Sequence, residues 1–173
     1  MSISVLFVCT GNTCRSPMAV GTLRSVVRRA GLAHHFEIGS AGTTDIHVSQ
    51  PPSLLAVEAA ARRGYDISGE RARLLTADDL VHFEYPLAMD RTHLAAMRDL
   101  APRGFVDRPQ MFLKYAPRLG VRDVVDPYGG TTDDYEHALD LIEGGCIGFL
   151  EHLRETLQTI SSLDKPASGE SVP

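Results

Sequence analysis

Cys9 and Arg15 stand six positions apart in the segment Cys9-Thr10-Gly11-Asn12-Thr13-Cys14-Arg15-Ser16. At that spacing a nucleophilic sulfur and a guanidinium can face the same anion. If the segment links a strand to a helix, its backbone N–H groups turn inward as a nest, and the helix N-terminus adds about half a positive charge. Such a loop is a cradle for a tetrahedral dianion. Arg15 would close it with a planar, two-pronged contact to phosphate oxygens that a lysine cannot reproduce. The same field would favour a thiolate at Cys9, lowering its pKa from about 8.5 into the range of about 3.5 to 7.5. Cys9 would then attack phosphorus in line and form a phosphocysteine. The leaving oxygen needs a proton donor and the second step needs a base for water. Asp126, in Asp126-Pro127-Tyr128-Gly129-Gly130, fits that requirement, because an Asp-Pro turn holds its carboxyl in an extended loop where Tyr128 can pack against a substrate ring.

Placing these groups requires a strand before Cys9 and a helix after Arg15, and the hydrophobic pattern predicts both. Ile3–Cys9 is a short β-branched and apolar run closed by Gly11-Asn12, which reads as a buried strand. Ser16 and Pro17 read as an N-cap and a first-turn proline. Ala19, Leu23, Val26 and Ala30 follow at helical spacing up to Gly31. Phe36-Glu37-Ile38 predicts a second strand, Pro51 to Arg63 a second helix, and Thr76-Ala77-Asp78-Asp79 a capped helix start. Tyr85 to Met89 predicts a third strand, Arg91–Leu100 a third long helix, and a fourth strand is expected within Gly104–Leu113. Tyr135, Leu139, Ile142, Cys146, Phe149, Leu153, Leu157 and Ile160 step by threes and fours and predict one long final helix. Gly144, Gly145 and Gly148 make that helix dependent on packing. The alternation of strand and helix signals predicts an α/β fold, a parallel sheet flanked by helices. A single domain over residues 1–160 and a flexible tail over 161–173 are expected.

The chain has 173 residues, 43% of them hydrophobic and 23% charged, which suits one soluble domain with a single core. A net charge of −5 argues against holding nucleic acid by counterion release. No apolar run approaches membrane-spanning length, and a cytoplasmic protein is expected. Three cysteines do not make a secreted disulfide framework. The charge is uneven: the first 36 residues contain Arg15, Arg24, Arg28 and Arg29 and no acid, whereas Asp123 to Glu151 contains eight acids and no Lys or Arg. An anion would prefer the N-terminal segment.

The chain resembles the low-molecular-weight protein tyrosine phosphatases through Val8-Cys9-Thr10-Gly11-Asn12-Thr13-Cys14-Arg15-Ser16-Pro17, Ser40-Ala41-Gly42 and Asp126-Pro127-Tyr128. The resemblance runs in order from about Ile3 to Leu157. It implies a four-stranded parallel sheet in flavodoxin-like order, the phosphotyrosine protein phosphatase I-like fold. It also implies Cys9 as nucleophile, Arg15 as phosphate clamp, Asp126 as general acid, and neither metal nor cofactor. The loop from Thr10 to Cys14, with Ser16 and Tyr128, would bind the substrate. Asn12, Ser16 and Ser40 would hold the loop's shape, Ser16 would hydrogen-bond the Cys9 sulfur, and Cys14 would protect Cys9 through a reversible disulfide. Expected partners are phosphotyrosine proteins and a cognate tyrosine kinase, with no nucleic acid or membrane, and the chain would be a monomer or weak homodimer.

Three positions depart from that pattern. Ile46-His47-Val48-Ser49 replaces an aromatic-His-Gly segment, so one wall of the aromatic slot is either missing or supplied by Tyr128. Glu70 stands where relatives often have His, and Thr13 stands where protein-arginine phosphatases carry Thr. A protein-arginine phosphatase is therefore the alternative. Arsenate reduction needs further relay cysteines, and only Cys146 lies outside the loop, on an apolar helix face where core packing is expected. A non-catalytic phosphate-binding module would have no use for the trio Cys9, Arg15 and Asp126. A zinc site is weak, since Cys-x4-Cys has no second cysteine pair.

Overall fold

The β-branched run at the N-terminus forms the central strand of the sheet. The computed structural model of the protein describes residues 2–163. In it, β1 (Ile3–Cys9) lies between β2 (Phe36–Gly42) and β3 (Tyr85–Ala88), and β4 (Gln110–Met111) completes an all-parallel sheet of order β2-β1-β3-β4. The fourth strand falls within the expected segment but is only two residues long. Successive residues of β1 face opposite layers, as strand geometry requires. Val5, Phe7 and Cys9 join one core with Met18, Leu23, Ile142 and Phe149, while Leu6 and Val8 join a second with Leu80 and Met97. A strand buried on both faces has no polar positions to spare, which explains its unbroken apolar run.

The first core is covered by α1 (Arg15–Arg29), α2 (Leu54–Arg62) and α5 (Thr132–His152), the second by α3 (Ala77–His82) and α4 (Arg91–Leu100). The α5 glycines permit a close approach. A Cβ on Gly148 would lie 2.0 Å from the Tyr115 carbonyl oxygen, so only glycine admits that backbone. Capping boxes at Thr76 and Asp90 start α3 and α4.

Three expectations are corrected. Cys14, not Ser16, is the N-cap of α1, and Arg15 is the first helical residue; the Ser16 hydroxyl is engaged by Asn12 and Cys9 instead. The apolar stripe of α1 uses Val20 and Val27 alongside Ala19 and Leu23, with Val26 only half buried. The single final helix is two, α5 and α6 (Arg154–Leu163), separated at Leu153. Leu153 and Leu157 are buried on both sides of that break, so the apolar period runs on without marking it. The first residues of the expected tail, Ser161–Leu163, continue α6; positions 164–173 lie outside the described residues. Among the described residues no helix is long and apolar enough to cross a membrane.

Candidate active site

β1 ends beside β2 on one side and β3 on the other, so the loop that leaves it opens at the point where the strand order reverses. Open parallel sheets bind ligands there, beyond the carboxyl ends of the strands. Residues 10–14 fill that place, between Cys9 at the end of β1 and Arg15 at the start of α1. Asn12 adopts the left-handed conformation at φ 55°, a cost that its buried side chain offsets with three hydrogen bonds. Its amide nitrogen donates to Ser16 Oγ and Ser40 Oγ, each at 2.8 Å, and its oxygen accepts the Arg73 N–H at 3.0 Å. Gly42 then fits tightly beneath the loop, where an added Cβ would meet the Thr10 carbonyl oxygen at 2.7 Å. Ser40 and Gly42 thus both serve the loop, the first by a hydrogen bond and the second by having no side chain.

The Cys9 sulfur is buried and 2.9 Å from Ser16 Oγ. Ser16 Oγ also accepts from Asn12, which leaves its own proton free to point at the sulfur. Burial pushes the Cys9 thiol up, against the Ser16 side chain and backbone N–H, the Arg15 charge and the Asn12 N–H, which pull it down; burial is the larger effect. The expected depression is therefore corrected: loss of hydration outweighs the donors. Cys146 is likewise raised by burial, is fully enclosed in the core, and has no access to the loop. Cys14 is buried with its sulfur near Ser53 Oγ at 3.3 Å and the Tyr135 hydroxyl at 3.4 Å; all three cysteines are free.

Arg15 is 2% exposed and aimed by two acceptors on one nitrogen. Its Nη1 donates to Asp90 Oδ2 at 2.8 Å and to the Val124 carbonyl at 2.9 Å, and its Nη2 lies 3.4 Å from Asp126 Oδ2. With Nη1 fully used, the Nε–Nη2 edge is the one left for a bidentate contact with an oxyanion. Burial alone would raise the Asp90 carboxyl, but donors from Thr92, Arg15 and His93 hold it down to about 2. A carboxyl depressed in the folded state contributes stability above its unfolded pKa and loses it as pH falls through its folded pKa. The stability advantage of the native chain over Asp90→Asn should therefore shrink as pH falls from about 4 towards about 2, as read by chemical denaturation at each pH. An advantage constant over that window would contradict the pairing.

Asp126 is half exposed and accepts the Tyr128 N–H at 3.2 Å, the turn that the Asp-Pro pair was expected to make. It lines a cavity of about 90 Å³ together with Cys9, Thr10, Gly11, Thr13, Cys14, Arg15, Ile46, His47 and Tyr128. Asn12, Ser16 and Ser40 lie behind that surface and shape it. Ile46 and Tyr128 both line the cavity and are 66% and 64% exposed, so one aliphatic and one aromatic side chain stand at its rim. Glu70 pairs with Arg24, which also reaches the Ile38 carbonyl, and so takes no part in supporting the loop; the Arg73 N–H does.

Asp90 and His93 were not anticipated. The sequence shows only that Asp90 closely follows a strand and can cap the next helix; the pairing of that strand with β1, seen in the fold, brings Asp90 to the same carboxyl edge as Cys9. His93 Nε2 is 2.8 Å from Thr10 Oγ1, and burial pushes the imidazole down to about 4 despite the Asp90 charge.

The model of the family described as low molecular weight phosphotyrosine protein phosphatase matches residues 4–159. The chain is 35% identical over 156 residues to the low molecular weight protein-tyrosine-phosphatase YfkJ of Bacillus subtilis, covering 90% of this chain and 99% of that one. The crystal structure of YfkJ superposes with a TM-score of 0.84 at 34% identity, covering 90% of this chain and 97% of that one. A protein tyrosine phosphatase from Entamoeba histolytica, crystallised with Hepes in its active site, superposes with a TM-score of 0.86 at 27% identity, covering 90% and 99% of the two chains.

Proposed function

The chain belongs to the low molecular weight phosphotyrosine protein phosphatase family, and from that premise we propose that it hydrolyses phosphotyrosine on proteins through a phosphocysteine on Cys9. The observation that carries the reading is that Cys9, Arg15 and Asp126 line one cavity at the mouth of a strand-to-helix loop. The ester dianion docks on the loop N–H groups and the Nε–Nη2 edge of Arg15. The proton of the Cys9 thiol passes to a phosphate oxygen as the ester docks, so thiolate and ester monoanion form together. The sulfur then bonds to phosphorus while the phosphorus–oxygen bond to the tyrosyl ring breaks, and a protonated Asp126 gives its proton to the departing oxygen. Water next loses a proton to the Asp126 carboxylate and attacks phosphorus. The sulfur–phosphorus bond breaks, and inorganic phosphate leaves.

On this reading the ring of the substrate passes between Ile46 and Tyr128, which both line the cavity. Tyrosine-phosphorylated proteins are the substrates, and a tyrosine kinase is the partner class that supplies them. The chain works as a monomer or weak homodimer in the cytoplasm, where Cys9 stays reduced.

A comparison of phosphotyrosine and phosphoarginine peptides, without added metal, tests the assignment; faster turnover of phosphoarginine would transfer it to the Thr13-based alternative. Asp126→Ala should slow phosphotyrosine peptide cleavage by about 10²- to 10⁴-fold in single-turnover measurements of the phosphorylation step. The loss on nitrophenyl phosphate should be much smaller, because that leaving group departs without a proton. Equal losses on both substrates would remove Asp126 from the acid role.

A further inference from the structure

His93 is 1% exposed, on the first turn of α4, and its ring bridges two parts of the site. Nδ1 lies 3.2 Å from the Asp90 backbone nitrogen and 3.2 Å from Asp90 Oδ1, and Nε2 lies 2.8 Å from Thr10 Oγ1. The tautomer follows from the available partners. Asp90 Oδ1 already accepts the Thr92 N–H, the His93 N–H and the Thr92 hydroxyl, whereas the Asp90 N–H has no acceptor but Nδ1 among the described residues. Nδ1 is therefore an acceptor, and the neutral ring carries its proton on Nε2. Thr10 Oγ1 then accepts from Nε2, and the hydroxyl proton of Thr10 is left for another acceptor. Thr10 lines the cavity.

We infer that His93 is a positioning residue for the anion cradle: by fixing the Thr10 oxygen as an acceptor it turns the Thr10 hydroxyl proton towards a phosphate oxygen. The inference rests on the phosphatase reading and adds a side-chain donor to the backbone donors of the loop. The capping contact of His93 to Asp90 couples that donor to the carboxylate that aims Arg15.

The test follows hydrolysis of an aryl phosphate and its inhibition by inorganic phosphate and orthovanadate. Thr10→Val should raise KM and both inhibition constants about tenfold, the effect of losing one hydrogen bond to a charged acceptor, with kcat within about twofold. Thr10→Ser keeps the hydroxyl and should stay near the native values. His93→Leu should match Thr10→Val, His93→Gln should recover part of the loss through its amide donor, and the double variant should be no worse than either single one. A purely structural role for His93 would lower the folded fraction, and so apparent kcat, without moving KM or the inhibition constants. Native inhibition constants in Thr10→Val, or additive losses in the double variant, would overturn the inference. If His93→Leu fails to fold, Thr10→Val still decides the matter, and nitrogen-15 spectra of the native chain must show Nδ1 unprotonated and Nε2 protonated. Calorimetric titration of the native and Thr10→Val chains with phosphate, run beside turnover by the native chain and Cys9→Ser, separates the two readings: absence of Cys9-dependent turnover defeats the phosphatase, whereas equal phosphate affinities defeat only the role of His93.

Discussion

Cys9→Ser should lose about 10⁴-fold or more in turnover of phosphotyrosine peptide while binding inorganic phosphate within a few-fold of the native chain. Serine oxygen fits the space of the sulfur and can keep the 2.9 Å contact with Ser16, so the cradle survives the exchange. What is lost is an atom that ionises easily and attacks phosphorus well; a 10⁴-fold deficit corresponds to about 5.4 kcal/mol of barrier. Acid quenching during turnover should trap phosphorus on the native protein and none on the variant. Equal turnover by the two proteins would eliminate the thiol mechanism altogether.

Arg15→Lys should cost about 10²- to 10³-fold in kcat/KM, although charge is conserved. Lysine is a point donor and cannot offer the parallel Nε–Nη2 edge. It also cannot serve Asp90 and the Val124 carbonyl together while reaching the cavity. Two consequences should therefore be separable. Vanadate affinity falls with the catalytic loss, since both report the bidentate contact, and stability falls by about 1–3 kcal/mol because buried acceptors lose their donor. Vanadate inhibition unchanged from the native chain would show that the guanidinium does not clamp the anion.

The elements closest to the chemistry were legible because local rules govern them. β1 is buried on both faces and so reads as an unbroken apolar run, and the loop that follows carries its glycine, asparagine and arginine within seven positions. Asp126 was legible through the turn that its proline imposes. The roles of Asp90 and His93 were not, because they depend on β3 lying beside β1, a pairing between segments about eighty positions apart that no local pattern encodes. Ser16 has the residue type of a helix cap, but two neighbours in the same loop, the Cys9 sulfur and the Asn12 amide, engage its hydroxyl instead. The break between α5 and α6 escaped notice because the pattern reports which face is buried and not whether the axis is continuous. The sequence shows the donors around Cys9 but not the depth of its burial, which pushes the thiol the other way.

The groups that shape the cradle arrive late in the chain: Ser40 and Arg73 brace Asn12, and the Val124 carbonyl that holds Arg15 lies 109 positions beyond it. Closing such wide loops costs entropy before any contact repays it. During synthesis Cys9 thus precedes by more than a hundred positions the last segment that holds its loop in shape, and the anion cradle exists only once that segment has folded back beside β1.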